Sequence, residues 1–105
     1  MFDCDNEVAT NKLTSPDGQR NAFVFTRNCG ATTGINAQVS VLPVSEELPN
    51  QGGNVFICDA QPKQVQVEWA GRDLLQIRYP QTARIFLKLD SLGRTKIQYL
   101  LANEA

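Results

Sequence analysis

The sequence predicts an all-β protein, a single-domain antiparallel β-sandwich or small barrel of seven to eight short strands. Three observations carry that expectation. Apolar residues recur at every second position in Val39-Ser40-Val41, Val65-Gln66-Val67-Glu68-Trp69, Leu75-Gln76-Ile77-Arg78-Tyr79 and Ile85-Phe86-Leu87-Lys88-Leu89, the period of a strand with one face in a core. Turn residues interrupt these runs every eight to twelve positions, and no stretch supports a helix of three turns. So many short strands in one flat sheet would leave a face uncovered, so two layers or a closed barrel are required.

Taken in order, residues 1–6 form a frayed start to the single domain spanning 1–105, and an edge strand follows from about Glu7 to Thr14. Ser15-Pro16-Asp17-Gly18 places proline at the second position of a type I turn and glycine where positive φ is needed, closing a hairpin. The return strand, Gln19 to Asn28, puts Phe23, Phe25 and Arg27 on one face, and the phenylalanines mark it as the core side. Cys29-Gly30-Ala31-Thr32-Thr33-Gly34 is a loop, after which Ile35, Ala37, Val39 and Val41 share a strand face up to Pro43, which cannot donate to a ladder. Val44 to Gly53 is a loop of ten residues, long for a β domain, and long ordered loops tend to carry function. Asn54 to Asp59 reads as a central strand, and Gln64 to Leu101 as a meander of four strands with turns at Ala70-Gly71-Arg72-Asp73 and Asp90-Ser91-Leu92-Gly93.

Composition excludes several function classes. A chain of 105 residues with 42% hydrophobic and 20% charged residues can build one core and lies outside the regime of disorder. The net charge of −1 argues against non-specific nucleic-acid binding, which needs a dense cationic surface. The charges are split: residues 1–59 carry seven acids against three bases, and residues 60–105 seven bases against four acids. Alternating strands can place these charges on solvated faces; the sharper reading is an acidic surface that meets a basic partner. The absence of histidine removes the commonest general base and most zinc-site patterns, and no cofactor is implied. Cys4, Cys29 and Cys58 have none of the close spacings of metal or redox motifs, and under oxidising conditions Cys29 with Cys58 is the expected bridge. No apolar run reaches the length of a signal core or a membrane span, which keeps the chain in the cytoplasm.

Candidate chemistry is sparse. The Cys29–Gly34 loop has two glycines, but phosphate loops lead into a helix and here a strand follows. Cys29 has no histidine to activate it, although Arg20 or Arg27 could lower its pKa. Asp59 and Glu68 form a carboxylate pair only if the fold brings them together. Trp69 and Tyr79 are either an exposed aromatic platform or the plug of a sandwich core. Glu46 and Glu47 on the long loop are the most attractive exposed charged contacts.

Ser15-Pro16-Asp17-Gly18, Cys29-Gly30-Ala31-Thr32-Thr33-Gly34, Val39-Ser40-Val41-Leu42 and Gly53-Asn54-Val55-Phe56, with Val67-Glu68-Trp69 and Leu75-Gln76-Ile77-Arg78-Tyr79, resemble a family of small, often lipoprotein-like bacterial proteins. The resemblance covers about Asn6 to Tyr79, and the Cys-Gly-Ala-Thr-Thr-Gly block is its specific part. Many of those relatives carry a leader ending at a cysteine in the position of Cys4, whereas only Met1, Phe2 and Asp3 precede Cys4 here. A leaderless branch looks like the immunity proteins of contact-dependent growth inhibition systems, non-enzymatic domains that neutralise one toxin domain, often a nuclease and in one case a ribonuclease. That resemblance implies a one-to-one protein complex, with Glu46, Glu47, Asp3, Asp5 or Glu7 set over a cationic cleft around an aromatic or aliphatic anchor. The alternative is an envelope lipoprotein-type domain acylated at Cys4, with no membrane association unless a leader precedes that residue.

Overall fold

The computed structural model describes residues 3–31 and 33–102, and in it the alternating segments become ten strands. They are β1 (Asp5–Val8), β2 (Leu13–Thr14), β3 (Arg20–Asn28), β4 (Ala37–Pro43), β5 (Phe56–Cys58), β6 (Gln66–Gly71), β7 (Leu74–Tyr79), β8 (Ile85–Lys88), β9 (Ser91–Leu92) and β10 (Thr95–Leu101). The first sheet runs β1-β3-β4-β5-β8 with β2 also on β3, and the second runs β6-β7-β10-β9. The expected all-β sandwich is what forms, with open edges on both sheets. The count exceeds seven or eight because β2 and β9 are two-residue ladders flanking tight turns.

Ser15-Pro16-Asp17-Gly18 makes the first hairpin turn as its residues require. The Gly18 amide donates to the Ser15 carbonyl at 2.8 Å, and Gly18 takes φ +72°, a conformation glycine adopts without steric cost. The chain start is more ordered than the frayed segment expected: Asp5 and Asn6 already pair with Asn28 and Arg27 in β1, while Met1 and Phe2 lie outside the described residues. The single edge strand expected over Glu7–Thr14 is two strands on the same neighbour, β1 opposite 25–28 and β2 opposite 21–22 of β3.

The expected meander gives way to a crossover. Pro80 follows β7, a turn closed by the Ala83 amide on the Pro80 carbonyl redirects the chain, and β8 joins the first sheet beside β5. The chain then returns through the β9–β10 hairpin, so β10 lies parallel to β7. Parallel neighbours require such an excursion. Gly93, at φ +58°, holds the first central position of that hairpin turn.

Between the sheets lie Ala22, Val24, Val39, Val41, Phe56 and Cys58 from the first sheet and Leu75, Ile77 and Ile97 from the second. Phe56 is fully buried, with the rings of Tyr79 and Tyr99 at 5.2 and 5.5 Å, spacings favourable for tilted aromatic pairs. The Tyr99 hydroxyl donates to the Leu89 carbonyl at 2.5 Å, and burial pushes its pKa up. Trp69 packs against this core and its indole N–H donates to the Leu13 carbonyl at 2.9 Å, joining the sheets.

The phenylalanines of β3 are buried, but not in this inter-sheet core. Alternation puts Ala22 and Val24 inward, so Phe23 and Phe25 occupy the outer face of the first sheet, yet they are only 7% and 0% exposed. Residues 44–53 cover that face as a strap. The Gly53 amide donates to Gln38 Oε1 at 2.7 Å, the Asn54 amide to Ser40 Oγ at 3.1 Å, and Asn54 holds Val41 through both its side-chain oxygen and its side-chain nitrogen at 2.9 Å each. At the far end Asn6 donates to the carbonyls of Pro49 and Gln51.

Gly53 is where the strap comes closest to the sheet. A Cβ there would stand 2.9 Å from the carbonyl oxygens of Phe56 and Val39, whereas a Cβ on Gly34 would meet nothing within 4 Å. Gly53→Ala is expected to destabilise the fold by about 1–3 kcal/mol, and Gly34→Ala by less than about 0.5 kcal/mol in either direction. Urea unfolding followed by tryptophan fluorescence measures both.

Candidate functional site

The strap leaves β4 at Pro43 under tight control. The Val44 amide donates to the Gln19 carbonyl and the Glu46 amide to the Pro43 carbonyl, both at 2.9 Å. Glu46 and Glu47 follow as exposed side chains on anchored backbone. Beyond them, Arg27 donates to Asn50 Oδ1 at 3.0 Å and to Asn6 Oδ1 at 2.8 Å, tying the strap's far end to β1 and β3. The long loop is therefore held at both ends, and the two acids sit between the ties.

The other predicted acids lie elsewhere on the first sheet. Asp3, Asp5 and Glu7 are exposed, and Asp5 and Glu7 alternate with Asn6, whose side chain reaches the strap, so they project from the opposite face of edge strand β1. The structure brings Asp5 and Glu7 together as a row, and Glu46 with Glu47 as a pair, on two different faces.

The cysteine pairing differs from the expected Cys29–Cys58 bridge. Cys4 is bonded to Cys29, with Cα atoms 4.0 Å apart, and Cys58 is a buried free thiol. The reason is register: Asp5 pairs with Asn28, so the next antiparallel step sets Cys4 beside Cys29. Cys58 points into the inter-sheet core, where burial pushes its thiol pKa up. A disulfide-bonded Cys29 is not a nucleophile.

The remaining candidates resolve into structural roles. Asp59 accepts the Arg84 amide at 2.6 Å beside β8, while Glu68 is exposed on the outer face of β6, so the two carboxylates do not converge. Thr33 accepts the Cys29 amide at 2.7 Å within the glycine loop, and Thr32 lies outside the described residues. Trp69 and Tyr79 belong to the core, not to an exposed platform. Among the described residues no group of three or more His, Cys, Asp or Glu is arranged to hold a metal ion, and no helix is long and apolar enough to cross a membrane.

Sequence reading missed the junction around Arg20. Its guanidinium donates to Thr95 Oγ1 at 2.6 Å and to Asp73, and lies 3.6 Å from Asp17. It thereby ties the β2–β3 hairpin to the β6–β7 turn and the start of β10. The hydrogen bond from Arg20 holds the Asp73 carboxyl below its usual value of 3.8, and the bond from the Ser15 hydroxyl lowers Asp17. Beside the junction opens a cleft of about 530 Å³ walled by Val41, Leu42, Pro43 and Leu92, with Arg20 and Arg94 at its sides. Only the proximity of Asp17 and Arg20 on one turn hinted at this arrangement in the sequence.

No family model, no curated protein and no solved structure matches the chain.

Because the folded-state pKa values of Asp17 and Asp73 are depressed, their contribution is fully present above the unfolded carboxylate pKa and is lost as pH falls through the folded one. Asp73→Asn is expected to lower Tm at pH 7 and to shrink the fall in Tm between about pH 5 and about pH 2. Thermal unfolding across that range, wild type against variant, checks the sign.

Proposed function

We propose that this chain is a non-enzymatic immunity protein that binds one cognate toxin domain, a nuclease with a cationic active-site cleft, and blocks it. The observation that carries the reading is the exposed Glu46–Glu47 pair on a strap anchored at Gln19, Gln38, Asn6 and Arg27. An acidic loop already held in place loses little conformational freedom on docking. Its charge also speeds encounter with a basic surface and disfavours neutral or acidic partners. The Cys29–Gly34 and Gly53–Phe56 blocks resemble a family of small, often lipoprotein-like bacterial proteins, and it is a branch of that family without a leader that looks like immunity proteins.

The expected complex is one-to-one and weakens with salt. Glu46→Lys and Glu47→Lys should each lower affinity by about tenfold. The experiment is capture of the partner with tagged protein, then calorimetry against the isolated toxin domain at low and moderate salt. Affinity unmoved by salt and by both reversals contradicts the electrostatic reading.

One observation favours a second reading, that of an envelope domain. Disulfides persist in oxidising compartments, and Cys4–Cys29 is such a bond. The same bond occupies the sulfur that acylation at Cys4 would use, so a lipid at Cys4 and this bridge are alternatives. Cell fractionation with intact-mass measurement separates the cases. The bridged protein is two hydrogens lighter than its thiol form and exposes one thiol, Cys58, only on unfolding; a lipid-sized mass increment in the membrane fraction supports the acylated form.

A further inference from the structure

We infer that the Cys4–Cys29 bond is a redox-sensitive latch: closed, it holds β1 and, through β1, the far end of the strap, and its reduction frees residues 47–52 while the sandwich stays folded. The latch is a property of the strap itself and does not rest on the partner proposed above.

β1 has little else to hold it. It is an edge strand of four residues, and among the described residues it pairs with β3 alone. None of its side chains joins the core: Asp5, Glu7 and Val8 are exposed and Asn6 is half-buried. Burial of apolar surface ordinarily offsets the conformational entropy of an ordered strand, and β1 contributes almost none. Its end is held where the Ala9 amide donates to the Val24 carbonyl at 2.9 Å. At its start, the covalent tie to Cys29 keeps Asp5 and Asn6 opposite Asn28 and Arg27.

Alternation carries that tie to the strap. Cys4 and Asn6 share a face of the first sheet with Cys29 and Arg27, and on that face Asn50 is held from both strands. Its side-chain amide donates to the Cys4 carbonyl at 2.7 Å, and its Oδ1 accepts from Arg27 at 3.0 Å. Asn6, itself held by Arg27 at 2.8 Å, donates to the carbonyls of Pro49 and Gln51 at 3.0 and 2.8 Å. The bonds to Cys4 and Asn6 are lost once the start of β1 leaves β3. The ties at Val44, Glu46 and Gly53 do not involve β1, so the part released lies between them and carries exposed Glu47 and half-buried Leu48.

The bond is within reach of a reductant. Cys4 and Cys29 are half-buried and Cys29 lines the groove beside Gly34 and Phe86, whereas Cys58 is fully buried. A thiolate of a dithiol attacks one sulfur, forming a mixed disulfide and releasing the other cysteine as a thiolate; the reductant's second thiol then displaces the remaining cysteine. Two electrons and two protons pass from the dithiol to Cys4 and Cys29, and the reductant leaves as a disulfide. The strap is thereby fully tied where disulfides persist and slack where thiols are kept reduced.

The test is NMR relaxation of the isotope-labelled full chain before and after dithiothreitol, without denaturant, with intact mass confirming the gain of two hydrogens. Backbone order parameters of Asp5, Asn50 and Gln51 should fall from about 0.85 to below about 0.6, while those of Val24, Val41, Gly53 and Ile77 stay near about 0.85. Reoxidation should restore them. The double variant Cys4→Ser with Cys29→Ser should show the low values with or without dithiothreitol. Unchanged order at Asn50 and Gln51 in protein that has gained two hydrogens overturns the latch. So does simultaneous loss of order at Val24 and Ile77, which makes the bond a staple of the whole fold, and so does a bridge that dithiothreitol opens only in denaturant.

Discussion

β3 is apolar on both faces, and the rest of the molecule is arranged to cover them. Ala22 and Val24 face the second sheet, while Phe23 and Phe25 face outward and are nonetheless buried. A sandwich covers one face of each sheet; the other face of this sheet needs a separate cover. The strap from Val44 to Gly53 supplies it, and its backbone polar groups require partners once they lie against the sheet. Gln38 accepts the Gly53 amide, Asn6 donates to the Pro49 and Gln51 carbonyls, and Ser40 takes the Asn54 amide just beyond the strap. Asn54 substitutes for a strand residue by holding both backbone groups of Val41, and Asn36 does the same to Arg27, accepting its amide at 2.9 Å and donating to its carbonyl at 2.8 Å. The two asparagines extend the β-ladder where the chain itself departs from it.

Covering that face fixes what is displayed. Because the strap starts at the Pro43 end of β4 and is tied again at Asn6, its exposed acids Glu46 and Glu47 are carried between those two ties. The cleft lies where the β9–β10 hairpin returns beside the β2–β3 hairpin, and Arg20 joins the latter to β10 through Thr95 and to the β6–β7 turn through Asp73. One guanidinium among two carboxylates and a buried hydroxyl is thus both a tie between sheets and a side of the cleft.

Local features were legible in the sequence and long-range ones were not. The Ser15–Gly18 turn, the inward set Ala37, Val39 and Val41, the central position of β5 and the core roles open to Trp69 and Tyr79 follow from turn chemistry and period-two alternation. Alternation alone could not say which face of β3 met the second sheet, because both of its faces are apolar. The Cys4–Cys29 bond depended on a β1–β3 register that an acidic, weakly patterned start did not announce. The parallel β7–β10 pair was hidden because β8 alternates as regularly in one sheet as it would in the other. For the site, the exposure of Glu46 and Glu47 could be read from loop composition, whereas the cleft and Arg20 junction unite residues separated by more than fifty positions.

The central claim is that the strap is part of the folded core unit and not a free loop. Amide hydrogen exchange followed by NMR tests it most directly. The amides of Val41, Gly53 and Val55, which donate to Asn54, Gln38 and Val39, should exchange as slowly as those of Val24 and Ile77, through opening of the whole domain. Exchange of Gly53 and Val55 on the timescale of exposed turn amides, with the sheet still protected, would contradict the account and leave the outer face of β3 without its cover.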